Sequence, residues 1–260
     1  MVSERIYNFT LALDEKTRSF FPEAIGKRGR AFQNTIAERI RSAFEPLGGT
    51  IQALSVGRHV VKMAWQEGND QPDVLPTVTA MLSGGKSVDG MLLLELFLSD
   101  SPENPGLLYA LGTAYSEQNA LERAMELLSR LVAAAPEHVN GRVAKGAVLL
   151  RAGKINEGVS ELEIAVRQAP ENLWAHRNLG AGLMLLNRYS EAAANLRLAR
   201  EIDSEDQRAW FEYAQALDGM DAVEQAESAY LKTIEIDEFS EIAEQARQRL
   251  AKLAGKKIYQ

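Results

Sequence analysis

"LLYALGTAYSEQNALERAMELLSRLVAAAP", residues 107–136, sets a pattern that returns downstream, and its period decides the fold. Gly112, Gly146, Gly180 and Ala214 fall 34 residues apart. A fixed period in this range marks stacked supersecondary units, each too small to bury its apolar face alone. In the first helix of each unit, columns of Leu, small and large residues read Leu111, Gly112, Tyr115; Lys145, Gly146, Leu149; Leu179, Gly180, Leu183; and Tyr213, Ala214, Leu217. In the second helix a small residue precedes a large one by four positions: Ala124 and Leu128, Gly158 and Leu162, Ala192 and Leu196, Ala226 and Tyr230. A four-residue step places each such pair on one helix face. Pro136 and Pro170 mark the end of the second helix, with Ser204 and Glu238 in the same column of the later units.

These columns resemble the tetratricopeptide repeat, a helix-turn-helix unit whose pattern runs over Trp, Leu-Gly, Tyr, Ala, Phe and Pro positions. Four units match over about 105–238. Small residues let the two helices approach closely, and large ones fill the space beside them. Three positions depart from the pattern: Lys145 replaces the Leu column, and Arg142 and His176 stand where a large apolar residue is expected. These are expected on thin or solvated edges of the stack.

The pattern extends in both directions. Val88 to Leu98 fits a second helix, with Gly90, Leu94 and Phe97 on one face and Pro102 one period before Pro136; residues 72–83 are expected to be its first helix. At the other end Ile242, Ala246, Leu250 and Leu253 form one apolar stripe, while Glu241, Glu244, Arg247, Gln248 and Lys252 point elsewhere, as in a capping helix with a wet outer face.

Residues 1–66 have a different rhythm. Tyr7, Phe9, Leu11 and Leu13 alternate as in a half-buried strand. Phe32, Ile36, Ile40 and Phe44 recur every four residues in an amphipathic helix that "PLGG" ends. "TIQALSV" and "HVVKMAW" flank Gly57 and Arg58 as the strands of a hairpin. The expected fold class is therefore α+β. It comprises a small β-α-β-β domain over 1–66, a divergent first repeat or connector over 67–104 and four tetratricopeptide repeats over 105–238, with a capping helix and tail over 239–260. By the resemblance, the repeats form an all-α superhelix of four to five units.

Composition excludes several chemistries. The chain has no cysteine, so disulfides, thiolate nucleophiles and cysteine-based metal sites are absent. The most apolar run, "MLLLELFL" at 91–98, is short for a bilayer crossing and carries Glu95. The start lacks a basic region followed by a cleavable apolar one, so a cytoplasmic protein is expected. Net charge is −7, divided unevenly: residues 1–66 hold 10 Lys/Arg against 6 Asp/Glu, and residues 67–260 hold 19 against 30. The acidic part is a poor partner for nucleic acid.

"AMLSGGKS", residues 80–87, fits a relaxed phosphate-binding loop, but no strand is expected before it, so Gly84 and Gly85 read as an inter-helix turn. Lys27, Arg28 and Arg30 precede or open the long helix and could contact an anion or nucleic acid, or form a solvated loop. His59, His138 and His176 lack ligand spacing, so no metal is expected, and nothing points to a catalytic residue or a cofactor.

The resemblance implies that the first helices line a concave groove, and those columns hold Tyr109, Thr113, Asn140, Val143, Ala147, Trp174, Arg177, Ala181, Met184, Arg208, Phe211 and Gln215. Aromatic and aliphatic area with a few polar anchors suits a peptide. A second reading stays open, in which Tyr109, Trp174 and Phe211 pack inside the repeats or against the N-terminal domain. The Lys, Asn and Arg clamp of tetratricopeptide modules that hold acidic chaperone tails is not matched, since its places carry Tyr109, Thr113, Ala144, Trp174 and Asn178. The resemblance thus implies a non-enzymatic scaffold or adaptor that binds another protein or peptide, with self-association as a further possibility. The alternatives are a regulator whose basic N-terminal domain binds nucleic acid, and an enzyme with its site between domains. No membrane insertion is expected.

Overall fold

Alternation of apolar and polar residues makes Ile6–Ala12 a strand, β1, with Phe9 and Leu11 buried and their neighbours exposed. The computed structural model describes residues 5–67 and 74–257, which fall into two compact units, Met1–Ala135 and Pro136–Gln260. In the first, β1 is followed by helix α1 (Gly29–Phe44) and by strands β2 (Thr50–Val56) and β3 (Val60–Gln66). The sheet is antiparallel in the order β1-β3-β2, with Phe9 opposite Met63 and Leu54 opposite Met63 on the other side. Ile36, Ile40 and Phe44 of α1 are buried, as their four-residue spacing predicts.

Four helices complete this unit: α2 (Val74–Ser83), α3 (Ser87–Asp100), α4 (Pro105–Glu117) and α5 (Leu121–Ala134). Residues 72 and 73 of the expected first helix lie outside the described residues. Helix α3 is apolar all round, and every residue from Met91 to Leu98 is buried. Such a helix needs cover on all sides. It packs on α2, α4 and β1 together, and its Phe97 ring meets those of Tyr7, Phe9 and Trp65 at centroid distances of 5.3, 4.9 and 5.8 Å. Its C-terminal end also closes the outer edge of β1. The Asn8 amide donates to Asp100 Oδ1 (3.2 Å), and the Thr10 amide donates to Ser99 Oγ (3.1 Å). These bonds satisfy backbone donors that an edge strand otherwise exposes.

The second unit is three helix pairs and a final helix: α6 (Val139–Arg151) with α7 (Ile155–Gln168), α8 (Leu173–Leu185) with α9 (Tyr189–Ile202), α10 (Gln207–Gly219) with α11 (Val223–Ile236), then α12 (Glu241–Lys257). The 34-residue period sets every boundary, so α4, α6, α8 and α10 begin at residues 105, 139, 173 and 207. A Cβ built on Gly146 would stand 2.6 Å from Leu162 Cγ, so the small column is what lets the helices of a pair touch. In α12, Ala246 and Leu253 are buried as the apolar stripe predicts.

Two further columns emerge. Gly85, Asn119, Gly153, Asn187 and Asp221 all have φ between 55 and 81° at the turn inside a pair, a conformation that Gly and Asn reach most easily. Gly85 therefore belongs to a helix-helix turn, as the reading of "AMLSGGKS" expects. The second column caps the first helices: Asn104, His138, Asn172 and Asp206 each accept a hydrogen bond from a first-turn amide. Asn172→Ala is expected to lower the stability of the second unit by about 1 kcal/mol, read as a shift in its urea midpoint. An unchanged midpoint would show that the cap contributes nothing.

The structure overturns the expectation that Arg142 and His176 lie at solvated edges. They are 8% and 2% exposed. Their polar heads hold the carbonyl of the loop before the helix: Arg142 Nη2 donates to Pro136 O (3.1 Å), and His176 Nε2 sits 2.8 Å from Pro170 O. Trp210, one period later, repeats the bond to Ser204 O (2.8 Å). A long side chain with a donor at its tip thus fills the large-residue column and ties the incoming loop. Lys145 is half-buried and pairs with Glu161 at 2.7 Å, the same carboxylate that Arg142 Nη1 reaches at 2.6 Å.

Candidate functional site

Side chains in the groove columns divide by burial. In the first unit, Tyr109 is half-buried, and burial raises its phenol pKa. The Thr113 hydroxyl donates to carbonyls of its own helix at 2.9 and 3.0 Å. In the second unit, Val143 and Phe211 are buried, Val143 in the apolar core of α6 to α10 and Phe211 against Tyr230 with ring centroids 5.8 Å apart. Met184 is partly buried against the same core as Val143, and Gln215 is half-buried. Asn140 is exposed and accepts from Asn172 Nδ2 (3.3 Å), and Arg208 is exposed.

Trp174 behaves differently. The residue is 54% exposed, unusual for so large an apolar side chain. The Arg177 guanidinium lies 4.1 Å from the ring centroid, and Arg177 Nη1 pairs with Asp206 Oδ2 at 2.7 Å. Asp206 is itself fixed, because its other oxygen caps α10 by accepting from the Arg208 and Ala209 amides (3.0 and 3.1 Å). The indole is therefore backed by a chain of cap, ion pair and cation-π contact from α10 to α8.

Glu212 was not anticipated from the sequence. It occupies the column of Ala110, Ala144 and Asn178, and its Oε2 atom is buried with no hydrogen-bond partner among the described residues. Burial pushes its pKa up to about 7; Arg177 and Arg208 oppose the rise, and Asp206 adds to it. The folded carboxyl therefore holds a proton that the unfolded one releases between the ordinary Glu range and about pH 7, so stability falls as pH rises through that window. Glu212→Gln is expected to flatten this slope in thermal unfolding between about pH 5 and pH 8. A slope that survives the substitution would place its origin elsewhere. Chemically the site offers a fixed aromatic face, exposed Arg208 and a carboxyl able to donate or accept a hydrogen bond near neutral pH.

The basic residues of the N-terminal domain lie apart from these columns in sequence. Lys27 and Arg28 line a cleft beside the start of α1, and Arg30 is exposed in its first turn. Lys27 Nζ donates to Thr35 Oγ1 (2.8 Å). Of the histidines, His138 caps α6 and His176 fastens a loop. Among the described residues no group of His, Cys, Asp and Glu could hold a metal ion, and no helix is long and apolar enough to cross a membrane.

Two family models described as Tetratricopeptide repeat match residues 85–145 and 143–206. No curated protein matches the chain. Solved structures with a similar fold include MamA of AMB-1, at 24% identity and a TM-score of 0.56 over 65% of this chain and 100% of that one. MamA from Desulfovibrio magneticus RS-1 aligns at 20% identity and TM-score 0.57, covering 65% and 98%. YrrB, described as a TPR protein with an unusual peptide-binding site, aligns at 16% identity and TM-score 0.55, covering 67% and 90%.

Proposed function

We propose, from the premise that this chain is a tetratricopeptide-repeat protein, that it is a scaffold or adaptor holding a partner polypeptide along the first helices of its repeats. The observation that carries this reading is the exposed Trp174 ring backed by Arg177 and Asp206. A large aromatic surface fixed before binding loses little freedom when a partner covers it, which is the property of an interface anchor. Asn140, Arg208 and Gln215 supply polar contacts to a peptide backbone or its charged side chains, while Arg177 holds the Trp174 ring in place. Within the second unit Met184 extends the contact surface, and Val143 and Phe211, being buried, belong to the packing of the helices that carry it; Tyr109 and Thr113 hold the corresponding columns of the first unit. Peptide binding in YrrB, which shares the fold, agrees with this reading.

The proposed setting is the cytoplasm, with no cofactor and no catalytic step. The division at 66, 104 and 238 is kept as the proposed functional division, with protein binding assigned to residues 105–238. Capture from a lysate of the source cell with the wild type and with a Trp174→Ala, Arg208→Glu variant tests the proposal. Both positions are exposed, so the variant is expected to fold, to lose bound partners selectively and to bind an identified partner at least about tenfold more weakly. An identical set of partners at identical affinity would overturn the groove assignment.

A further inference from the structure

The turn between α11 and α12 carries an aromatic ring where the repeat otherwise carries an acid. Glu103, Glu137, Glu171 and Glu205 occupy one exposed column at 34-residue spacing, and Phe239 is its next member. Phe239 is 90% exposed. A single exposed apolar residue on a loose loop would mean little, but this turn is tied down. Gln207 Nε2 donates to the carbonyls of Thr233 and Asp237 (2.9 and 2.8 Å), and Arg247 Nη2 donates to that of Glu238 (2.6 Å). The Phe239 amide donates to Asp237 Oδ1 (3.1 Å). The ring is thus held out by backbone already ordered, which lowers the entropic cost of docking it. Residues 235–241 add Glu235, Asp237, Glu238 and Glu241, with no Lys or Arg.

The N-terminal domain presents the complementary surface. A cleft of about 750 Å³ lies beside the start of α1, where exposed Ile25 and half-buried Phe32 supply the apolar area and Leu13, Phe21 and Ile36, themselves buried, complete the lining. Arg18, Lys27, Arg28 and Arg58 also line it, all exposed, and none forms an ion pair among the described residues. Apolar area bordered by four cations asks for an occupant with an apolar anchor and several negative charges.

We propose that the Phe239 turn of one copy docks into this cleft of a second copy, with the ring on the apolar area and the flanking acids against the basic residues. The segregation of charge along the chain, +4 over residues 1–66 and −11 over 67–260, favours the same pairing through long-range attraction. The two surfaces are different patches of one molecule, so the contact is heterologous and propagates head to tail into a ring or an open chain. It rests on none of the residues of the Trp174 surface, so its failure would not touch the groove reading.

Sedimentation velocity on the full chain tests this over roughly 1 to 300 μM at low salt, where mass action populates even a weak assembly. The wild type is expected to gain mass with concentration and to lose that gain in high salt. Phe239→Ser, and separately the pair Lys27→Glu with Arg28→Glu, are each expected to weaken association at least about tenfold and stay monomeric. The decisive sample is the equimolar mixture of the two variants. One keeps only the knob and the other only the cleft, so the mixture should form dimers and nothing larger, which also shows that both variants are folded. A wild type that stays monomeric throughout, variants that assemble like the wild type, or a mixture that stays monomeric would each overturn the proposal.

Discussion

Replacing Phe97 with alanine is expected to cost the first unit about 3–5 kcal/mol, the range for truncating a buried aromatic. The reason is position as much as size. Phe97 is buried on a helix with no exposed face over Met91–Leu98, and its ring meets those of Phe9, Trp65, Tyr7 and Phe44 at 4.9 to 6.2 Å between centroids. Alanine would leave a hole bordered by four rings drawn from β1, β3 and α1, which cannot all move inward without breaking the strand register. Hydrogen exchange reads the result directly. Amides of β1, β3 and α3 should exchange about 10² to 4 × 10³ times faster, since each 1.4 kcal/mol is tenfold in the opening equilibrium. Phe97→Leu, which keeps much of the volume, should cost under about 1.5 kcal/mol. Equal exchange in wild type and Phe97→Ala would mean that α3 is not what secures the sheet.

That role of α3 was only half legible in the sequence. "MLLLELFL" declares a helix buried on every side, because no polar stripe is left to face water. What covers it cannot be read from periodicity, which describes one element at a time. The small-residue column was legible, since stacking forces the same volume at the same place in each pair: Gly146 is small because Leu162 occupies the space of its missing Cβ. The capping column of Asn104, Asn172 and Asp206 was equally available as a periodic signal and needed only to be sought among polar residues. Arg142 and His176 misled because residue type was taken to indicate exposure. Their tips reach carbonyls at Pro136 and Pro170, and a polar group so satisfied is free to be buried. Glu212 lies beyond sequence reasoning, because its raised pKa arises from a desolvation that only the packed helices create.

Glu161→Ala is expected to destabilise the second unit by about 3 kcal/mol, because it strands charges that the fold has already taken out of water. The Arg142 side chain is 10% exposed and that of Lys145 19%, and Glu161 is the carboxylate that both reach. Removing it leaves Arg142 with the neutral acceptors Gln168 and Pro136 alone. A second substitution separates this cause from lost packing. Leu108 stands fully buried one period before Arg142, so leucine suits the column. Arg142→Leu combined with Glu161→Ala should therefore recover part of the loss, with a coupling of about 1–3 kcal/mol in a urea double-mutant cycle. Strict additivity would show that the pair contributes nothing beyond its separate parts. Acid supplies an independent check. Burial raises the Glu161 pKa, but the hydrogen bonds and charges of Lys145 and Arg142 outweigh it and leave the carboxyl below its usual value. Between that lowered value and the ordinary Glu range the unfolded chain binds more protons, so the contribution of Glu161 is present at neutral pH and is lost as pH falls through the window. Glu212 has the opposite sign, gaining stability as pH falls through about 7. The wild-type second unit should therefore strengthen from about pH 8 to pH 5 and weaken in stronger acid, with Glu212→Gln flattening the first limb and Glu161→Ala the second.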